Sequence, residues 1–584
     1  MSEKSIPNLI KTALGEMEPD FVVKEAHIFD SFTGFFRVSD LAVKDGRVAG
    51  IGSYDSSMTI DGKNHYLLPG FVDGHVHMES SFCCPGEFAR CLNSHGVTTV
   101  IADPHEIANV AGIEGIKYFL RATENVPADI YFMLPSCVPA TPLETGGATL
   151  AAGDLAQFVS HPRVLGLGEM MNYPGVLSLD PEVMKKLELA NNQKLPGGKR
   201  FFLDGHAPGL IGRELTAYAA SGISSDHEAT KGGELSEKLS SGLFMLLREG
   251  SAAKNLLNLL PAVTSFSSRF CGLATDDRHA IDLKVDGSVN HLVRIALGTG
   301  LIGLPELINM ATLNAARHYG LPGVGALAPG YKADFALYSD LWSFRPVMVW
   351  KDGVKTSERG KSLIPELGPG DWRNLGDTVK LGDIREEDLK ARAGSDAMAR
   401  VIGMREQEII TDDLTLELPV RGDELLADPE RNISKFAVFD RYRGDRKPAV
   451  GFLRGLGLRR GALASTVSHD SHNLVVAGAS DKDMLVAAKR AAELRGGLVA
   501  VLDRKVLGEL PLPVGGIMSV LSLDDTASRL TTLRDCLPAL GFQEGADPFM
   551  SLAFMSLPVI PHLKLTSRGL VDVNSASLVS LSTS

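Results

Sequence analysis

Long apolar runs are missing from this sequence. No stretch reaches the roughly 18–20 consecutive apolar residues that a membrane span needs, so no membrane partner is expected. The opening MSEKSIPNLIKTALGEMEPD has neither the apolar core nor the small-residue cleavage site of a secretory leader. Cysteine is scarce, six in 584 residues, and no CxxC occurs. That argues against a disulfide framework and makes a reducing cytoplasm the expected location. The adjacent Cys83 and Cys84 read as structural, because vicinal cysteines pair only under strain. Basic blocks are also lacking, and the net charge of −12 speaks against a nucleic-acid-binding surface. No glycine-rich string matches a dinucleotide fingerprint or a phosphate-binding loop in context.

What is present is ordinary globular composition in a chain too long for one core. Residues 1–67 hold short β-like runs with Asp-Gly turns at Asp45-Gly46 and Asp61-Gly62, the chemistry of hairpins. Residues 68–320 alternate apolar strand-like runs with helix-like stretches. Eight such runs occur: LLPGFVDG, VTTVIAD, DIYFMLPS, RVLGLGEM, RFFLDGH, GISSDHE, LFMLLREG and RFCGLATDD. Alternation at this count and size predicts an α/β fold, a (β/α)8 TIM-like barrel. Residues 321–364 return to β character. They are expected to pair with residues before Leu67, so that the barrel is inserted into a small composite β domain. LGPGDWRNLGD reads as a linker opening a C-terminal α+β domain, residues 365–584, whose terminal ASLVSLSTS is expected to fray.

The chemistry concentrates at the strand ends that such a barrel gathers into one site. The first strand ends in His75-Val76-His77, two imidazoles on one face of an extended chain. The fourth ends in Glu169, the fifth in His206, the sixth in His227 and the eighth in Asp276. Singly, each is more often incidental than functional; five strands placing a ligand type at the same end is a joint signal. Imidazole and carboxylate donors without cysteine suit Zn, Mn, Fe or Co, and five or six of them suit a pair of ions. His105 and Glu106, after the second strand, are the next candidates, although Asp103-Pro104 also reads as a helix N-cap followed by Pro at N1. Glu228, Arg278 and His279 adjoin the ligand positions. His469 and His472, in SHDSHN, belong either to a surface loop or to a cap over a barrel mouth.

LPGFVDGHVHMES resembles the first-strand signature of the amidohydrolase superfamily, and GALAPGYKADFAL resembles its stretch just after the barrel. HMESS, ADPHEIANVAG, GEMMNYPGV, DGHAPGL, GISSDHEAT, TDDRH and PVGGIMS, with the large third domain, resemble the bacterial-type adenine deaminases. The resemblance implies that His75 and His77 bind a first metal, Glu169 bridges, His206 and His227 bind a second, and Asp276 touches the first and moves protons. With Glu169 at this position, no carbamylated lysine is needed. It further implies two divalent ions, Mn2+ or Fe2+ ahead of Zn2+, and a homodimer or higher homo-oligomer. The implied reaction is hydrolysis of adenine to hypoxanthine and ammonia. In it hydroxide attacks C6, and N1 needs a proton from a carboxylic acid or an imidazolium, for which Glu106 and His105 are the candidates in this sequence. The rivals are a hydrolase opening a cyclic amide, another aminopurine deaminase, and a scaffold without catalysis, which would have lost ligands that this sequence retains.

Overall fold

A computed structural model describes residues 5–192, 194–195, 199–405, 410–445 and 447–582. Eight parallel strands form the barrel: Phe71–Val76, Val97–Ala102, Asp129–Leu134, Val164–Met170, Phe202–Gly205, Ser225–Asp226, Phe244–Arg248 and Cys271–Ala274. They are buried on both faces, which is why their sequences read as continuous apolar runs rather than alternations. The first five pair in order, as do the last three. Ser224 N–H donates to Leu203 O (2.8 Å), joining the fifth strand to the sixth; Asp276 N–H donates to His75 O (3.0 Å), joining the eighth to the first. The sheet is thereby closed, and its polar strand ends face one mouth.

A nine-stranded sheet lies beside the barrel. Phe335–Tyr338, after the barrel, runs antiparallel to Tyr66–Pro69, before it, with Ala336 opposite Leu68. Phe21 and Phe335 each stack on Trp350 beside this joint and meet each other at a tilt. Asp45-Gly46 and Asp352-Gly353 both have positive φ at each residue, as the tight hairpin turn requires. Asp61-Gly62 does not make the expected hairpin. Thr59–Asp61 and Tyr66–Pro69 both run parallel to Phe21–Asp30. Gly62 is there for close approach: a Cβ would lie 2.7 Å from Lys24 O, beside a bulge in that strand.

The C-terminal region builds an eight-stranded sheet with the helix Asp481–Glu493 on one face. Up to residue 582 the terminal segment is held in place, residues 583–584 lying outside the described residues: Ser577–Val579 pairs with Gly569–Asp572, and Leu581 O accepts from Arg400 N–H (2.8 Å) while its side chain packs beside Ala399. The preceding linker is tied to the barrel, since Tyr118 OH donates to Pro369 O (2.7 Å). Two loops dock this domain on the barrel mouth. Within residues 513–519, Ser519 N–H donates to Phe82 O (2.7 Å), and Gly515, whose Cβ would lie 2.7 Å from Ile107, permits the approach. The loop containing SHDSHN joins Ala462–Ser465 to Leu474–Gly478 and enters the mouth itself, Asn473 donating to Thr145 O (2.7 Å). Among the described residues no helix is long and apolar enough to cross a membrane.

Candidate active site

His77 sets the chemistry of the cluster. Its Nδ1 lies 3.0 Å from Asp103 O. A carbonyl oxygen only accepts, so Nδ1 carries the hydrogen and Nε2 presents a lone pair. That nitrogen faces His75 Nε2 at 3.2 Å, Glu169 Oε1 at 3.2 Å and Asp276 Oδ1 at 3.3 Å. Electron-rich atoms this close and this buried repel one another unless a cation sits among them. Ligands about 2.0–2.2 Å from a tetrahedral ion are themselves about 3.3–3.6 Å apart, close to the spacing found. On the other side, Glu169 Oε2 lies 2.6 Å from His206 Nδ1 and 3.2 Å from His227 Nε2. One carboxylate thus turns an oxygen to each of two donor sets. The residues fit a bridged pair of divalent ions, with a carbonyl holding the orientation of an imidazole as second partners of metal ligands commonly do.

Burial alone would raise the Glu169 carboxyl. The His206 charge and its hydrogen bond, with His105 and His227 close by, outweigh it and hold the group well below the usual carboxylate range. Asp276 is likewise raised by burial and lowered further, most of all by the Arg248 guanidinium. Most of the cluster is inaccessible, but the His206 side chain is 25% exposed, so solvent reaches it from that side.

A second layer links the cluster to the C-terminal domain. His105 lies between two carboxylates, Nδ1 3.2 Å from Glu169 Oε1 and Nε2 3.3 Å from Glu106 Oε1. Glu106 also meets His469 Nδ1 at 2.6 Å, and accepts from His472 Nε2. Ser468 N–H donates to His472 Nδ1 (3.2 Å), so Nε2 is the protonated nitrogen and this trio is a hydrogen-bonded group, not a third ion site. Burial raises Glu106, but His472, His469 and His105 together hold it well below its usual range. Burial lowers His469, and Glu106 more than offsets that, bringing it up to about 9.

The structure brings His75, His77, Glu169, His206, His227 and Asp276 into one cluster and places His105, Glu106, Glu228, His469 and His472 against it. His279 stands at its edge. Its ring stacks on Phe82, its Nδ1 meets Ser80 O (2.9 Å), and with His469 it lines a small cavity between barrel and C-terminal domain. Arg278 is not brought in; its guanidinium turns outward to Glu249 O, Asp282 O and Asp286. Asp103 does not cap its helix. Pro104 is the N-cap residue of His105–Ala122, and Asp103 Oδ2 instead accepts from Glu169 N–H (3.0 Å) across the barrel. Sequence reasoning missed Arg248, Glu79 and Ser80. Arg248 ends an apolar strand run beside Glu249, a position that does not reveal its partners; Glu79, accepting from Ile107 N–H (3.0 Å), and Ser80, bonded to Asp277, carry no local signal either.

The model of the amidohydrolase family matches residues 66–356, and that of the adenine deaminase C-terminal domain matches residues 408–577. The chain is 49% identical over 579 residues to adenine deaminase 2 of Carboxydothermus hydrogenoformans, covering 99% of this chain and 100% of that one. It is 43% identical over 573 residues to adenine deaminase of Desulfatibacillum aliphaticivorans, covering 98% and 99%. A crystal structure of dihydropyrimidinase from Brevibacillus agri NCHU1002 aligns with 59% of this chain and 96% of its own at 13% identity and a TM-score of 0.44. By the near-complete overlap with these relatives and the two matched regions, the chain belongs to the adenine deaminase family of amidohydrolases.

Proposed function

We propose that this chain hydrolyses adenine to hypoxanthine and ammonia, in cytoplasmic purine salvage. The observation that carries the reading is the end-to-end match to relatives named adenine deaminase, which includes the C-terminal domain that reaches into the barrel mouth. A pair of divalent ions would supply a water acidified to near neutrality when bound; the donor set suits Mn2+, Fe2+ and Zn2+ alike, and the family resemblance favours Mn2+ or Fe2+. His75, His77, Glu169 and Asp276 would hold one ion, and Glu169, His206 and His227 the other.

The rest of the work falls to the chain. The Asp276 carboxylate, beside His75 and His77 at the same mouth, is placed to take a proton from the attacking water and return it to the departing amine. Adding water across C6–N1 needs a proton at N1. Glu106 is held ionised, so it acts through the imidazoles it orients, His105 and His469, either of which can carry that proton and be reprotonated by the C6 hydroxyl as the amine departs and the carbonyl forms. His279 and the apolar wall of the adjoining cavity exclude water from the ring.

The test is ammonia release from adenine by metal-free enzyme reloaded separately with Mn2+, Fe2+ and Zn2+, beside ring opening of dihydroorotate. Turnover of adenine alone supports the reading; turnover of dihydroorotate alone moves the chain to cyclic-amide hydrolysis. Sedimentation of the same preparations checks the expected homodimer.

A further inference from the structure

The seventh barrel strand carries none of the expected metal ligands, yet it sends one charged side chain into the site. Arg248 closes that strand, and its guanidinium reaches sideways to both neighbours. Nη2 donates to Glu228 Oε2 (2.8 Å), and Nη1 donates both to Glu228 Oε1 and to Asp276 Oδ2 (2.8 Å). All three residues are buried. A guanidinium held this way fixes direction as well as charge, which an ammonium cannot do.

The two carboxylates it holds face different donor sets. Asp276 turns Oδ1 to His75 Nε2 (3.4 Å) and His77 Nε2 (3.3 Å), while Arg248 occupies Oδ2. Its backbone has φ +56°, a conformation costly for a residue with a Cβ, and one that persists where surroundings fix a side chain for use. Glu228 Oε1 lies 3.5 Å from His206 Nδ1 and 3.4 Å from His227 Nε2. It is therefore within reach of any ion those two nitrogens share with Glu169 Oε2. Three protein ligands leave a place for water, whereas a fourth, anionic one would fill it.

We propose that Arg248 is a positioning residue that withholds Glu228 from the ion that His206 and His227 would hold, so that a place for water stays open there, and that it fixes the Asp276 carboxylate by its other oxygen. This rests on the two-ion reading above. The competing view is that Arg248 merely ties three strands together.

The experiment uses the full-length enzyme loaded with Co2+, whose visible absorption weakens as its coordination number rises. Arg248→Met, Glu228→Gln and the double variant are compared for bound Co2+, absorption and ammonia release. Arg248→Met is expected to keep two equivalents of Co2+, to lose visible intensity, and to release ammonia about 10²-fold more slowly. Adding Glu228→Gln to it is expected to restore the wild-type absorption and about tenfold of the rate. If Arg248→Met does not fold by circular dichroism, Arg248→Lys replaces it, since lysine can hold only one of the two carboxylates. An unchanged spectrum in the folded Arg248 variant, or no reversal by Glu228→Gln, overturns the proposal. Wild-type enzyme that binds two Co2+ yet leaves adenine untouched would overturn the deaminase reading alone, because the spectral comparison does not depend on the substrate.

Discussion

Glu106, at the start of a barrel helix, and His469, 363 positions later, meet with carboxylate and imidazole 2.6 Å apart and both buried. The C-terminal domain therefore contributes to the barrel's own mouth rather than standing apart from it. His469→Gln removes the charge that Glu106 holds without removing the side chain. It is expected to lower kcat by about 10²–10³-fold while two metal equivalents remain bound. Unchanged kcat would confine His469 to domain docking.

Glu169→Gln replaces one of the two bridging oxygens with an amide. Metal content is expected to fall from two equivalents toward one, and kcat by at least about 10³-fold, since both donor sets depend on the same carboxylate. Two retained equivalents by elemental analysis would count against the bridge.

Lys238 is buried beneath the sixth strand. It lies 2.9 Å from Asp226 Oδ1 and 2.8 Å from Glu234 Oε1, and donates to Ala207 O (2.7 Å). Asp226 also accepts from the backbone N–H of Glu228, next to His227. Lys238→Met leaves two buried carboxylates without their cation and is expected to destabilise the barrel by about 3–5 kcal/mol, read from urea midpoints. A shift within the error of wild type would refute that.

Lys564 gives a pH dependence away from the site. It is fully buried in Leu563–Thr566, and burial pushes its ammonium down to about 7. An unfolded lysine titrates near 10.4. Between those values the unfolded chain binds a proton that the folded chain does not. Wild-type stability should therefore rise with pH from about 7 to about 10, relative to Lys564→Met. Parallel urea midpoints for the two proteins across that window would contradict it.

Much of this is legible in the sequence. The eight strands announced themselves because burial on both faces makes short continuous apolar runs, and even the two-residue strand Ser225–Asp226 falls inside GISSDHE. His75 and His77 were readable as a pair because extended chain repeats every two residues. Arg248 was overlooked because its partners come from two other strands, a relation no local spacing records. Asp103 misled because its helix-start chemistry is a local rule, while its actual partner, the backbone N–H of Glu169, is two strands away in the barrel. Asp61-Gly62 carried the residues of a hairpin, but its glycine answers to a neighbouring chain instead.

Pairing Tyr66–Pro69 with Phe335–Tyr338 has a cost during synthesis. The earlier strand leaves the ribosome about 270 residues before its partner, which at ~5–20 residues per second is a wait of roughly a quarter of a minute to a minute. Throughout that interval a sticky apolar edge, Leu67 and Leu68 included, stands without its neighbour. Nascent chains released early by truncation upstream of residue 335 should accordingly be the species that chaperones retain.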